Sequence, residues 1–312
     1  MPTSAARAAT ESRLAFHEVL SDDGTRLTAW TNDPGPNGGP EDGAAVDRPT
    51  VVLCNGLGTS AWAWPALLRE ECGVRVVSWN HRGTGGSDRP RDPGHCGIDA
   101  FVEDALSVMD HFGVDRAVLV GWSMGVNTMF ELAYHHPERV RGLFAVAGVP
   151  GDTFATMLGP LRLPRAVNRT LSVGITRTLA LAGRALTPVT TRLPVGPRTV
   201  HVLTHTGFML PVPDPELAAV AIREFLTTPI DWYMRLALAT STHGRVSLSS
   251  LGVPVAFVAG TWDILTGTRH MQSAAARIPE ATYEELRGTH FIQMEQPERV
   301  HQLLLEFLER VA

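Results

Sequence analysis

The stretch Ala117-Val118-Leu119-Val120-Gly121-Trp122-Ser123-Met124-Gly125 decides the fold expected for this chain. Its first four residues form the apolar run typical of a buried parallel strand, and a helical pattern begins at Met124. A serine raised on a sharp turn between strand and helix needs small residues two positions before and after it, as Gly121 and Gly125 are. By itself the pentapeptide is equally compatible with a glycine-rich turn without chemistry. With its flanking strand and helix, it predicts an exposed, activated Ser123 and hence a serine hydrolase.

Length and composition predict an ordinary globular protein. The chain has 312 residues, of which 44% are hydrophobic and 19% charged. No apolar run is long enough for a transmembrane segment, and residues 1–7 lack the apolar core of a secretion signal, so we expect a cytoplasmic protein. The three cysteines have no CxxC spacing, which argues against a disulfide framework and a zinc site. We expect no metal and no organic cofactor.

The charge distribution bears on partners. A formal charge of −5 gives no reason to expect nucleic acid. Residues 152–245, however, contain ten arginines against five acidic residues. Such an excess attracts anionic substrates or a membrane surface, although arginines more often form a solvated face. Contact with a membrane surface therefore stays open, and the sequence carries no signal for the oligomeric state.

Strand patterns alternate with helical ones over most of the chain. We predict strands at 14–20, 26–31, 50–54, 74–79, 116–120, 140–147, 253–259 and 282–286. Apolar residues at three- and four-residue spacing predict helices at 61–71, 98–112, 124–136, 268–278 and 300–311. This alternation indicates an α/β fold, with a mostly parallel eight-stranded sheet covered by helices on both faces.

The alternation stops after the sixth strand. Residues 152–245 carry many prolines and helical apolar stretches without a convincing buried strand, and the strand pattern resumes at Val253. Because ligands of open α/β sheets bind outside the carboxyl ends of the strands, this insertion is expected to cover the site as a helical lid. The predicted organisation is a core of residues 1–151 and 246–312, interrupted by a lid of residues 152–245.

An activated serine needs a base, and the base needs a carboxylate to orient it. Asp263 follows a predicted buried strand, and His290 lies between the last strand and the last helix. Both therefore belong to the same sheet edge as Ser123. Asp152, which follows the sixth strand, is the alternative acid. The other histidines considered as bases lack the required position and are expected to be structural or lid residues: His81, His205, His243 and His270.

Acyl transfer also needs amides directed at a developing oxyanion. The third strand leads into Asn55-Gly56-Leu57-Gly58, a glycine-rich turn before a helical pattern. We predict that the backbone N–H groups of Leu57 and Met124 form the oxyanion hole. A plain strand-to-helix turn without a catalytic role is the alternative interpretation.

Along nearly its whole length the chain resembles the α/β-hydrolase-fold enzymes, and in particular serine esterases and lipases with a helical cap. The motifs that carry the resemblance are Asn55-Gly56-Leu57-Gly58, Asn80-His81-Arg82-Gly83-Thr84-Gly85-Gly86-Ser87, Gly121-Trp122-Ser123-Met124-Gly125, Gly260-Thr261-Trp262-Asp263 and Gly288-Thr289-His290. Asn80 replaces the aspartate usual in the second motif, and Asn55 replaces the usual histidine of the first. The resemblance implies a Ser123, Asp263, His290 triad. Haloalkane dehalogenases and epoxide hydrolases are disfavoured, because family membership there would require an aspartate at position 123.

The expected substrate is a small carboxylic ester with an apolar acyl chain. The predicted lid supplies apolar side chains that line a pocket or pack the lid onto the core: Phe154, Met157, Leu158, Phe208, Met209, Leu210, Trp232, Tyr233 and Met234. Of these, we expect Phe208, Met209 and Trp232 to contact substrate, together with Trp122. The same triad also serves C–C bond hydrolases, lactonases, cofactor-free perhydrolases and acyltransferases, and some members of the fold are non-catalytic binding proteins.

Overall fold

One eight-stranded sheet organises the chain. The structure is a computed structural model that describes residues 14–33, 48–157, 164–244, 248 and 251–312. The strands lie in the order β1-β2-β4-β3-β5-β6-β7-β8; β1 and β2 run antiparallel to their neighbours and the other strands are parallel. This arrangement confirms the predicted mostly parallel sheet. The strand bounds are β1 Ala15–Leu20, β2 Arg26–Thr31, β3 Thr50–Cys54, β4 Arg75–Trp79, β5 Ala117–Trp122, β6 Val140–Val146, β7 Val255–Gly260 and β8 Thr282–Leu286.

Helices cover both faces of the sheet. A hydrophobic cluster lies on each face of the sheet. In the central strand β5, Leu119 packs into the first cluster, whereas Val118 and Val120 pack into the second, on the opposite face. This alternation follows from the two-residue period of a strand, and it buries every residue of β5. The helices α1, α2 and α7 contribute to the first cluster and α9 to the second. Their bounds are α1 Ile98–His111, α2 Gly125–His135, α7 Thr268–Ala275 and α9 Pro297–Val311, with the short α8 Ile292–Glu295 before α9.

The prediction of a helix at 61–71 is wrong. The segment instead forms two short 3-10 turns, Ala61–Ala63 and Pro65–Leu68. Pro65 explains the break, because a proline pushes the preceding residue out of the helical region, and Trp64 has φ −127° and ψ 69°. Both turns are nevertheless largely buried. The tryptophans of this segment therefore pack into the core without a helix.

Four helices lie between β6 and β7 in the part of the chain that is described: α3 Arg165–Thr190, α4 Pro197–Leu203, α5 Pro215–Thr227 and α6 Ile230–Thr240. We call residues 164–244 the helical insertion. Within it, α3 packs against α6 at Gly183, where a Cβ would come 2.5 Å from the Asp231 nitrogen. The insertion contacts the core through Trp232, whose Nε1–H donates to the Arg82 carbonyl over 2.8 Å. Leu158, predicted for the lid, and the predicted boundary at 245/246 fall outside the described residues. The division into core and lid stays a prediction.

None of the described helices is both long and apolar enough to cross a membrane.

Candidate active site

Ser123 lies on a strained turn between β5 and α2. Its backbone φ is +54°, a left-handed value that is rare for residues other than glycine, and its N–H donates to the Val146 carbonyl over 3.0 Å. A Cβ at Gly125 would collide with the Cys54 carbonyl, and one at Gly121 would come 2.6 Å from the Met129 sulphur. The need for small residues on both sides of the serine therefore has an identified cause. The neighbouring strand and the helix itself occupy the space that side chains would fill.

Ser123, His290 and Asp263 form a hydrogen-bonded chain. His290 Nε2 lies 2.8 Å from Ser123 Oγ, and His290 Nδ1 lies 2.8 Å from Asp263 Oδ2. The Asp263 side chain is fully buried and that of His290 is 5% exposed. The second carboxylate oxygen, Oδ1, accepts N–H groups from Leu265 at 2.8 Å and Thr266 at 2.7 Å. The carboxylate is thus fixed by its own turn on one oxygen and presents the other to the imidazole.

The alternative acid, Asp152, has other partners. Its Oδ1 accepts the Ala155 N–H over 3.1 Å, and its Oδ2 lies 3.3 Å from the Arg169 guanidinium. The carboxylate that contacts His290 belongs to Asp263 instead. Geometry therefore favours Asp263 as the orienting acid, and it gives Asp152 a local role between the loop after β6 and α3.

His81, considered as an alternative base, is a buried core residue. Its ring packs edge-to-face on Phe101 with centroids 4.7 Å apart. Complete burial lowers the pKa of His81 to about 4, because the charged imidazolium would lose its hydration. The residue is therefore a neutral packing group near pH 7.

The turn predicted to supply one oxyanion amide is held by Asn55. Its Nδ2 donates to the Ser60 carbonyl over 2.9 Å, and its Oδ1 accepts the Trp64 indole N–H over 3.1 Å. These bonds close the turn that contains Leu57. Leu57 and Met124, the two predicted donors, line the same cavity as Ser123. The asparagine that replaces the family's usual histidine thus has a structural use in shaping the turn.

A largely apolar cavity of about 610 Å³ extends from Ser123 and His290 into the helical insertion. Its volume is typical of pockets for small organic molecules. Of the predicted substrate contacts, Trp122, Phe208 and Met209 line it, and so do Phe154, Met157 and Tyr233 of the remaining apolar set.

Trp232, the fourth predicted contact, is not among the residues that line this cavity. Its indole is buried between the Arg82 carbonyl, to which it donates, and the Arg89 guanidinium, which lies 4.5 Å from the ring centroid. A Cβ at Gly83 would overlap the indole, so this glycine makes room for it. Trp232 therefore joins the insertion to the core.

Two contacts around His290 escape sequence reasoning. The Trp122 indole N–H donates to the His290 carbonyl over 2.9 Å, so this residue of the serine turn also anchors the histidine loop. Glu295, buried in α8, accepts the Thr289 N–H over 2.7 Å and the Leu210 N–H over 2.8 Å. It therefore connects the histidine loop to the insertion. Nothing in the local pattern distinguishes Glu295 from the exposed Glu298 nearby, since burial depends on distant segments.

The described residues contain no group of three or more His, Cys, Asp or Glu side chains placed to hold a metal ion. All three cysteines are free and buried, and burial raises the pKa of the Cys54 thiol to about 12. A thiolate at this position is therefore disfavoured near pH 7.

The strand order, the serine turn and the hydrogen-bonded chain agree with the family comparison. A family model described as the alpha/beta hydrolase fold matches residues 49–297. The chain belongs to the α/β-hydrolase fold family. The predicted α/β core fold and the resemblance to the α/β-hydrolase-fold enzymes are thereby confirmed.

The names of individual relatives of this α/β-hydrolase-fold protein indicate different substrates. A RutD protein of Caulobacter segnis, provisionally named a carbamate hydrolase, is 29% identical over 289 residues, which cover 84% of this chain and 92% of that protein. Epoxide hydrolase A of Mycobacterium tuberculosis is 28% identical over 303 residues, covering 83% and 90%. The solved esterase EaEST of Exiguobacterium antarcticum aligns with a TM-score of 0.70 at 15% identity, covering 95% and 100%. The two named hydrolases support hydrolase activity without specifying the bond cleaved, and the alignment with the esterase supports the fold.

Proposed function

We propose that this protein is a serine hydrolase that cleaves carboxylic esters with an apolar acyl chain through an acyl-enzyme on Ser123. One observation carries the proposal: Ser123 Oγ lies 2.8 Å from His290 Nε2 at the wall of an apolar cavity of about 610 Å³. A hydroxyl within hydrogen-bond reach of an imidazole, itself oriented by a buried carboxylate, is the arrangement that activates serine as a nucleophile.

The hydrogen bonds support one direction of proton transfer. Because the Asp263 carboxylate only accepts hydrogen bonds, His290 carries its proton on Nδ1 and accepts the Ser123 hydroxyl proton on Nε2. As Ser123 Oγ bonds to the ester carbonyl carbon, that proton passes to Nε2 and negative charge moves to the carbonyl oxygen. Asp263 stabilises the imidazolium without taking its proton.

We assign stabilisation of the oxyanion to the backbone N–H groups of Leu57 and Met124. Met124 precedes α2, so the positive end of that helix adds to the effect. When the tetrahedral intermediate collapses, the ester C–O bond breaks and the leaving alcohol takes the proton from His290 Nε2. Water then attacks the acyl-enzyme with His290 as base, which releases the acid and restores the Ser123 hydroxyl.

The cavity lining supports an apolar acyl group. Phe154, Met157, Phe208, Met209 and Tyr233 are among the aromatic and methionine side chains that line the cavity. Burying an alkyl chain against such side chains is favourable by about 0.8 kcal/mol for each methylene group. In this proposal the helical insertion is a lid that supplies the acyl pocket. The chain differs from what resemblance to an epoxide hydrolase would require, because it has Ser123 in place of an aspartate.

A series of p-nitrophenyl esters from acetate to dodecanoate tests the proposal. We expect kcat/KM to rise with chain length until the cavity is full, and Ser123→Ala to lower kcat by at least about 10⁴-fold. Ser273→Ala, at an exposed position of α7, is the matched control and should leave kcat unchanged. Wild-type rates in Ser123→Ala, or hydrolysis restricted to acetate, would contradict the proposal.

A further inference from the structure

Helix α3 has an inverted distribution of side chains. The residues it buries against the protein are small or polar, namely Asn168, Ser172, Thr176 and Gly183. Six of its eight valine, leucine and isoleucine residues are instead exposed, and five of these six project within about 100° of the helix circumference, given about 100° of rotation per residue. We call these five the apolar stripe: Val167, Leu171, Ile175, Leu186 and Val189, which are 38–61% exposed.

The segment that contains the stripe is strongly basic. Between residues 153 and 213 the sequence has seven arginines and no aspartate or glutamate, although the whole chain carries a formal charge of −5. Arg177 and Arg184 are exposed on α3 outside the apolar stripe. All the charged residues of α3 are arginines. A helix that combines arginines with an exposed apolar stripe is typical of helices that lie in the interface of an anionic membrane.

The apolar stripe continues into the wall of the candidate active site. Leu193, just after the end of α3, is 48% exposed and also lines the 610 Å³ cavity. Phe208 combines 40% exposure with a place in the same wall. Apolar surface therefore extends from the outer side of α3 to the cavity that contains Ser123.

A second copy of the chain fits this surface poorly. A two-fold interface places the same patch of each subunit against itself, so two arginine-rich segments without acidic residues would face each other. Anionic lipid headgroups complement both features, since they pair with arginine while their acyl chains accept the apolar side chains.

We infer that the apolar stripe of α3 docks this protein on an anionic lipid surface, with the cavity mouth at Leu193 and Phe208 beside that surface. The stripe enters the boundary between headgroups and acyl chains, and the arginines contact the phosphates. This inference goes beyond the proposed function and is tested without it, because lipid binding needs no turnover.

Sedimentation of the full chain with sucrose-loaded vesicles tests the inference. We expect binding to vesicles of phosphatidylglycerol mixed with phosphatidylcholine, and little binding to phosphatidylcholine alone. The double variant L171Q/I175Q should weaken partitioning at least about tenfold, since each substitution removes roughly half an aliphatic side chain of apolar contact. Arg177→Gln and Arg184→Gln should each weaken it about fivefold.

Leu20→Gln is the matched control. Leu20 is 68% exposed at the end of β1, outside the helical insertion, so its replacement should leave partitioning unchanged. Glutamine is a good helix former, and the far-ultraviolet circular dichroism of each variant confirms that α3 persists. The inference is overturned if the parent ignores anionic vesicles, if L171Q/I175Q binds as the parent does, or if that variant dissociates a dimer seen in sedimentation velocity.

Discussion

The loops that hold Ser123, Asp263 and His290 differ from the outer side of α3 in how their side chains are satisfied. In the loops, buried polar groups have specific partners and the backbone approaches closely at glycines. On α3, large apolar groups face solvent and small ones face the protein. In the proposed function, the core determines which atoms react, while the insertion determines what reaches them. Substitutions in the two regions should therefore change different quantities.

The largest effect is expected at Asp263. Asp263→Asn keeps the size of the side chain but places an amide near His290, which favours the wrong imidazole tautomer, so kcat should fall by about 10⁴-fold. Asp152→Asn alters only the contact between the loop after β6 and α3 and should leave kcat within about threefold, because Asp152 bonds to Ala155 and Arg169. Ester hydrolysis rates of the two variants decide the acid. The reverse pattern would assign the role to Asp152.

Trp232 tests how the helical insertion is attached to the core. It belongs to the insertion by sequence, yet it is 4% exposed and hydrogen-bonded to the core. Trp232→Ala should therefore lower the free energy of unfolding by about 3–5 kcal/mol, as truncation of a buried aromatic side chain does. Urea denaturation measures this change. A loss below about 1 kcal/mol would show that the insertion is not anchored through this residue.

Glu295 tests the connection between the histidine loop and the helical insertion. Glu295→Gln replaces an acceptor-only carboxylate by an amide that turns one donor towards the N–H group of Leu210 or Thr289, and we expect a loss of about 1–3 kcal/mol in unfolding free energy. Glu298→Gln is the control: Glu298 forms an exposed ion pair with Arg69, and its removal should cost less than about 1 kcal/mol. Equal losses for both variants would refute a special role for Glu295.

The smallest effect is expected at Phe208. Phe208→Ala removes apolar wall at the cavity mouth, so kcat/KM for the longest accepted ester should fall about fivefold, equivalent to about 1 kcal/mol of lost contact. Stability should change by less than about 0.5 kcal/mol, because the side chain is 40% exposed. Phe16→Ala, at a half-exposed position of β1, is the control and should change neither kcat nor KM for these esters. A uniform rate loss for all chain lengths would place Phe208 outside the acyl pocket.

Sequence patterns predicted the sheet well because its strands carry clear local signals. The fully buried β5 and β7 each have a glycine at or next to the carboxyl end, and the serine turn requires glycine at two fixed positions. The positions of Asp263 and His290 after neighbouring strands follow from the same parallel order. Their assignment as catalytic residues stays a prediction, although the structure brings their side chains together.

The apolar spacing of residues 61–71 indicated a helix, but Pro65, a local signal within the segment, divides it into two short turns. Other features depend on contacts between distant segments, which no local pattern encodes. The sequence around Trp232 does not predict whether its side chain is exposed or buried, because the groups that contact it, from Arg82 and Arg89, belong to another part of the chain. The inverted side-chain distribution of α3 likewise becomes visible only when its packing partner, α6, is known.

The most direct test of the central claim is the intact mass of the protein after treatment with a fluorophosphonate, which reacts with an activated serine without requiring knowledge of the substrate. The parent should gain one phosphonyl group, and Ser123→Ala should gain none. An unlabelled parent, or labelling that persists in Ser123→Ala, would contradict the account of Ser123 as the nucleophile.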